Sequence, residues 1–256
     1  MKAIAIIPAR MTSSRFPGKP MKEINGMPMI GHCYFRTRMC ADLLDTYVAT
    51  CDEVIYDYIN SINGKAIMTS SAHERASDRV AEAMVKVESR LRMQVDILVM
   101  VQGDEPMDTP KMIEDALVPM YEDESIQVVN LMGKIDSVEE FEDPNTVKVV
   151  IGPDSNAIYF SREPIPSRRK GVTNVPMLKQ ICVIPFRRDF LLDFNNTPET
   201  PLEKIESVDM MRVIESGGRV KMVLTDEPSI GVDTPSDLEL VRNLMKTDQL
   251  MKKYIT

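Results

Sequence analysis

Ala3, Ile4, Ala5, Ile6 and Ile7 form an unbroken apolar run ended by Pro8. Apolar at every position rather than alternating, it predicts a strand buried on both faces, as in parallel sheets. Residues 9–20 follow as a loop rich in Ser, Gly, Pro and basic side chains. Pro28 suits a first helical position, and Met29, Ile30, Cys33 and Tyr34 recur behind it at helical spacing. Residues 47–50 predict a short strand, and Val54, Ile55, Tyr58 and Ile59 a helix face. Gly64 ends that helix, and residues 65–68 predict another strand. Val80, Met84, Val87 and Leu91 make one helical stripe. Residues 96–101 are the strongest buried-strand run, and Thr109 can cap a helix starting at Pro110.

Strand and helix alternate over roughly the first 125 residues, which predicts a mostly parallel sheet with helices on both faces. The pattern then changes. Residues 126–132, 146–151, 156–160 and 178–185 read as strands with little helix between them, an antiparallel layer inserted into or packed on the first unit. The tail returns to helix over 202–216, a strand near 220–224, and a helix from Pro235 to about Met245. The basic segment 164–175 is the candidate mobile loop.

Composition narrows the class. The 256 residues are 43% hydrophobic and 27% charged, the balance of a soluble globular chain, long enough to bury a core without disulfide or metal. The longest apolar stretches fall far short of the ~18 residues of a membrane span and of the ~7–15 apolar residues of an export signal. A cytoplasmic location is expected, with no membrane partner. Cys33, Cys40, Cys51 and Cys182 form no Cys-x-x-Cys pair and read as reduced, mostly buried thiols. The twenty methionines read as core packing. A net charge of −8 disfavours nucleic acid as a partner. Yet Lys2, Arg10, Arg15, Lys19 and Lys22 precede the first acidic residue of the chain. A basic start on an acidic chain predicts one local anion site.

Three constellations carry candidate chemistry. Residues 8–20, Pro-Ala-Arg-Met-Thr-Ser-Ser-Arg-Phe-Pro-Gly-Lys-Pro, follow the first strand, where open α/β sheets bind ligands. Arg forks grip phosphate oxygens and Lys supplies a mobile charge, so the loop suits an oligophosphate. It is neither a P-loop nor a Gly-x-Gly-x-x-Gly fingerprint, which disfavours P-loop hydrolases and Rossmann dehydrogenases. Gln102-Gly103-Asp104-Glu105-Pro106 ends the buried run; an Asp there can hold Mg²⁺ beside substrate phosphates, although acidic turns are common. In Gly231-Val232-Asp233-Thr234-Pro235-Ser236-Asp237, helix capping explains Thr234, Pro235 and Asp237 but leaves Asp233 over. His32 and His73 have no metal-ligand partner at useful spacing, and a Ser-His-Asp hydrolase finds no support.

These motifs, with Asp143-Pro144-Asn145, Val147-Lys148-Val149-Val150, Tyr159-Phe160-Ser161-Arg162 and Pro201-Leu202-Glu203 with Ile205-Glu206, occur in the order seen in the CMP-Kdo synthetases, and the chain resembles that family from Ile4 to Leu244. The resemblance implies a nucleotide-diphospho-sugar-transferase-like, Rossmann-like α/β fold: a mixed sheet with helices on both faces plus a smaller antiparallel layer. It implies a single domain in which 1–125 and 202–256 bind nucleotide and metal and 126–201 serves the acceptor and dimerisation. It implies a homodimer that transfers CMP from CTP to 3-deoxy-manno-octulosonate (Kdo) with Mg²⁺, releasing pyrophosphate, a step of lipopolysaccharide biosynthesis. Carried over by position, Arg10, Ser13, Arg15 and Lys19 hold the CTP phosphates and ribose, and Ser77 and Arg79 lie in the cytosine segment. Asp104 and Asp233 bind metal and, with Arg10 and Lys19, carry catalysis. Gln102, Arg162, Gln180, Glu203 and Glu206 face the acceptor.

The chain departs from that family in places. Arg75-Ala76-Ser77-Asp78-Arg79 stands where Ser-Gly-Thr-acid-Arg is usual. Gln180 takes the position of a His that helps bind the sugar acid, Cys182 that of a Gly, and Ser167 that of a Trp. Gln180 cannot carry the charge of a His. Together these changes predict that ordinary Kdo is a poor acceptor, unless Lys179 or Arg162 supplies the cation. The rivals are the same CTP chemistry on an amino-octulosonate, a nine-carbon acid or a small non-sugar anion, nucleotidyl transfer to a sugar 1-phosphate, and a non-catalytic CTP-binding paralogue. The retained Asp104 and Asp233 speak against the last.

Overall fold

The computed structural model describes residues 1–12, 16–172 and 174–255. They group into two compact units, Met1–Glu114 with Pro228–Thr256, and Asp115–Glu227. The first is built on β1 (Ala3–Ala9), buried along its whole length. A hairpin of β2 (Glu23–Ile24) and β3 (Met27–Pro28) leads to α1 (Met29–Arg38). Pro28 pairs with Glu23 in that hairpin, so the helix starts one residue later than the sequence suggests. Then β4 (Leu43–Thr50), α2 (Glu53–Ser61), β5 (Ala66–Met68), α3 (Ala76–Leu91) and β6 (Ile97–Val101) alternate. The strands run parallel in the order β6-β1-β4-β5. Val80, Met84 and Val87 of α3 are buried, while Leu91, where Arg92 ends the helix in left-handed backbone, is exposed. Parallel pairing brings the carboxyl ends of these strands to one end of the sheet, where such folds bind ligands. α4 (Pro110–Glu122) begins in the first unit and ends in the second.

The second unit contains β7 (Val129–Lys134), α5 (Val138–Glu142), β8 (Lys148–Ile151), β9 (Ala157–Ser161), β10 (Leu178–Ile181), β11 (Val183–Arg187), α6 (Arg188–Asn196), α7 (Pro201–Glu206), α8 (Met210–Glu215) and β12 (Lys221–Leu224). Its sheet has the order β12-β7-β10-β8-β9, antiparallel except that β12 runs parallel to β7. Because β12 pairs there, this unit reaches Glu227 rather than ending near 201. The helix expected over 202–216 is two helices: Ser207 takes a left-handed backbone at φ 53°, and Val208 turns into the core before α8 begins. Residues 178–185 likewise divide into two strands at Cys182. α6 buries only Leu191 and Phe194.

The chain then returns to the first unit as α9 (Pro235–Met245). Thr234 accepts the Asp237 amide and the Asp237 carboxylate accepts the Thr234 amide, the expected capping box. Leu238, Val241 and Met245 pack with Ile24, Met29 and Val232, and Phe16 lies against them. Each buried side chain of this kind contributes about 1.5–3 kcal/mol. Ten of the twenty methionines are buried, which matches their reading as core filler. None of the four cysteines forms a disulfide among the described residues; Cys33 and Cys40 are buried and the other two half-buried. No described helix is long and apolar enough to cross a membrane.

Candidate functional site

At the carboxyl ends of β1 and β6 lies a cavity of about 300 Å³. Its walls include Arg10, Thr12, Lys19, Arg79, Gln102 and Asp104, with Glu74, Arg75 and Ala76 closing one side. The turn after β6 approaches β1 so closely that a Cβ on Gly103 would stand 2.8 Å from the Pro8 carbonyl oxygen. Only glycine lets Gln102 and Asp104 reach the cavity from there.

Lys19 is the hub. Its ammonium donates to Asp104 Oδ2 at 2.6 Å and to Asp233 Oδ1 at 3.2 Å. Burial alone would lower the Lys19 pKa, but the two carboxylates outweigh it and hold it above the ordinary value. Lys19 is 8% exposed, whereas the Asp104 and Asp233 side chains keep 33% and 29% of their surface open. Two open carboxylates beside a cationic cavity are the donor set that Mg²⁺ takes together with substrate phosphates. Among the described residues no cluster of three His, Cys, Asp or Glu offers a metal cage, so a cation here would need oxygens from a ligand. The residues fit a Mg²⁺ held on a nucleotide.

Arg79 is almost fully buried and donates to Thr69 Oγ1 at 2.7 Å, Ser70 O at 3.3 Å and His73 O at 3.2 Å. It shapes the loop leading to Glu74 and Arg75 while lining the cavity. His73 and the Ser70 amide both bond Glu82. Ser77 is wholly enclosed and does not line the cavity, although Ala76 and Arg79 do. Ser13 and Arg15 lie outside the described residues. Glu74 and Thr12 were not singled out from sequence; their signal is adjacency, one just before α3 and one inside the basic loop.

The remaining expected acceptor residues belong to the second unit. Glu206 accepts Tyr159 OH at 3.1 Å, Ser161 Oγ at 3.0 Å and the Arg162 amide at 2.8 Å. The Arg162 guanidinium donates to the carbonyls of Glu206, Pro144 and Ser207. Gln180 Nε2 donates to Asn130 Oδ1 at 2.6 Å, and Asn130 Nδ2 donates to the carbonyls of Leu131 and Ile181. Lys179 bonds Glu140 at 2.6 Å. With Lys179 on a carboxylate and Arg162 on carbonyls, neither is placed as a replacement for the cation that Gln180 lacks.

Glu203 has a different job from the one expected. It is completely buried, and both carboxylate oxygens accept from Arg212, at 2.6 and 2.7 Å. One of them also accepts the Thr200 amide. Arg212 in turn lies 4.2 Å from the Phe194 ring centre. This fork-to-fork pair holds α7 to α8 and leaves Glu203 no surface for a ligand.

Comparison with known proteins converges on one chemistry. Residues 4–223 match the family model described as cytidylyltransferase. A 3-deoxy-manno-octulosonate cytidylyltransferase of Geobacter metallireducens is 41% identical over 251 residues, 94% of this chain and 96% of that protein. Its counterpart from Escherichia coli is 40% identical over 244 residues, 95% and 96% of the two chains. The solved structure of a CMP:2-keto-3-deoxy-manno-octonic acid synthetase complexed with CTP superposes with a TM-score of 0.88 at 40% identity, covering 96% of this chain and 99% of the other.

Proposed function

The chain belongs to the family of 3-deoxy-manno-octulosonate cytidylyltransferases, and we infer that it transfers the cytidylyl group of CTP to Kdo, releasing pyrophosphate, within lipopolysaccharide biosynthesis. The observation that carries this is the Lys19 ammonium between two open carboxylates on the wall of a cationic cavity. The anomeric hydroxyl of the sugar acid attacks the α-phosphorus of CTP. A phosphorus–oxygen bond forms, the bond to pyrophosphate breaks, and the hydroxyl proton passes to solvent water. Most of the acceleration comes from positioning and charge stabilisation. Arg10 and Lys19 take up the charge that grows on the departing pyrophosphate. Arg79 and the Glu74–Ala76 wall enclose the base. Asp104 and Asp233 would hold Mg²⁺, which when bound supplies charge neutralisation and lowers the pKa of a coordinated hydroxyl.

Kdo itself is the acceptor we assign. The expectation that Gln180, Cys182 and Ser167 turn the enzyme away from Kdo is not favoured, because relatives bearing the Kdo enzyme's name match this chain at about 40% identity over almost its full length. The same matches disfavour the rival acceptors and the non-catalytic paralogue. Gln102, on the cavity wall, is assigned to the acceptor. Mg²⁺ dependence, a homodimer and a cytoplasmic site of action complete the proposal, supported by the resemblance to the family. The test is pyrophosphate release with each of the four nucleoside triphosphates. CTP should exceed ATP, GTP and UTP at least about tenfold, since a hydrogen-bonding base pocket strongly rejects mismatched polar edges. Equal turnover with all four would overturn the cytidylyl reading.

A further inference from the structure

Asp52 stands at the end of β4, immediately before α2, where an Asp ordinarily caps the helix that follows. Here the α2 amides of Ile55 and Tyr56 bond the Asp52 backbone carbonyl, and the Asp52 side chain caps nothing in its own helix. Instead Asp52 Oδ2 accepts the backbone amide of Met11 at 2.8 Å. Met11 O in turn accepts the amide of Gly18 at 2.9 Å. Gly18 has φ 72°, and the Met11 side chain closes over it. One carboxylate between β4 and α2 therefore fixes Met11, and Met11 ties the beginning of the basic loop to its end. The residues flanking these two anchors, Arg10 and Thr12 on one side and Lys19 on the other, line the cavity. Asp52 itself is half-buried, and its own amide bonds Thr50 Oγ1 at 3.1 Å, which seats it on the strand end.

We propose that Asp52 is a positioning residue for the triphosphate: by holding the Met11 amide it sets the separation of Arg10 from Lys19, and so the fit of the cationic loop to CTP. The inference rests on the CTP reading above. It also explains why an acid is kept beside an anion site. A carboxylate there opposes the substrate's charge, yet a charged acceptor makes the strongest bond to an amide. Geometry, rather than field, is what Asp52 contributes.

Steady-state kinetics with CTP separates the two, with unfolding midpoints as a check on folding. Asp52→Glu keeps the charge but moves the oxygen by a methylene; Asp52→Asn keeps an acceptor oxygen in place and removes the charge. The KM for CTP should rise about tenfold in Asp52→Glu and in Asp52→Ala, and kcat should fall with it, because Arg10 and Lys19 also meet the charge that grows on the leaving pyrophosphate. Asp52→Asn should stay within about twofold of wild type. Should Asp52→Ala fail to fold, the Glu and Asn pair still decides. An unchanged KM in Asp52→Glu, whatever its unfolding midpoint, would overturn the proposal. So would a lower KM in Asp52→Asn, which would make Asp52 a repelling charge. Wild-type protein that neither binds nor turns over CTP would instead overturn the functional reading.

Discussion

The backbone carbonyl of Asp104 accepts the amide of Val232 at 2.9 Å. That single bond joins the turn after β6 to the strand of chain entering α9. It brings the backbones of Asp104 and Asp233 together, and Lys19 Nζ bridges their carboxylates. Asp104→Asn and Asp233→Asn should each lower the unfolding midpoint, because buried Lys19 loses a charged partner, and each reduce turnover about 100-fold or more, near 3 kcal/mol of barrier. Chelator should abolish activity and Mg²⁺ restore it. Wild-type rates in both variants at saturating Mg²⁺ would remove these carboxylates from the mechanism.

Glu203 and Arg212 give a prediction of the opposite kind. Removing one partner of a buried pair leaves an uncompensated charge and costs about 3–5 kcal/mol. Glu203→Gln should lower the urea midpoint strongly, while folded protein below the transition keeps the wild-type KM for Kdo. A stable variant with a raised KM would return Glu203 to the acceptor site.

Much of the architecture could be read before the structure. The unbroken apolar run of β1 and the Thr234 capping box depend on neighbours in sequence, and both stand as expected. The basic loop and the Gln102–Glu105 turn lie at strand ends, which places Arg10, Lys19, Gln102 and Asp104 around one cavity. What escaped depends on partners far along the chain. Glu203 sits in a motif that reads as ligand-binding, and nothing local reveals that Arg212 consumes both its oxygens. Asp52 looks like a helix cap until the Met11 amide is seen to claim it. The pairing of β12 with β7, which moves the unit boundary to Glu227, is a tertiary choice that hydrophobic periodicity does not encode.

His32 predicts how stability varies with pH. It is buried, with Nε2 at 2.8 Å from the Ile24 carbonyl and Nδ1 at 2.9 Å from Tyr254 OH. Nε2–H donates to the carbonyl, and in the neutral ring that burial favours Nδ1 accepts from the tyrosine. Burial pushes its pKa below the ordinary value. The unfolded chain therefore binds a proton, from about pH 6.5 downward, that the fold refuses. Stability should be at its plateau above that pH and decline as pH falls through it. Glu82 acts in a separate window. Despite partial burial, bonds from Lys86, the Ser70 amide and His73 pull its pKa to about 2, so its contribution is complete above the ordinary carboxylate range and fades as pH falls from there toward 2. A lower urea midpoint at pH 5.5 than at pH 7.5, with the difference reduced in His32→Gln, is expected; equal midpoints for wild type would contradict it.

The acceptor is the central claim, and pyrophosphate release measured with CTP, Mg²⁺ and Kdo tests it most directly. We predict a kcat/KM for Kdo of about 10⁴ M⁻¹s⁻¹ or better, within the range of ordinary enzymes, despite Gln180 standing where the family has a charged-capable His. Intact CTP binding with no turnover of Kdo, and turnover regained in Gln180→His, would contradict the account and make this a cytidylyltransferase for another acid.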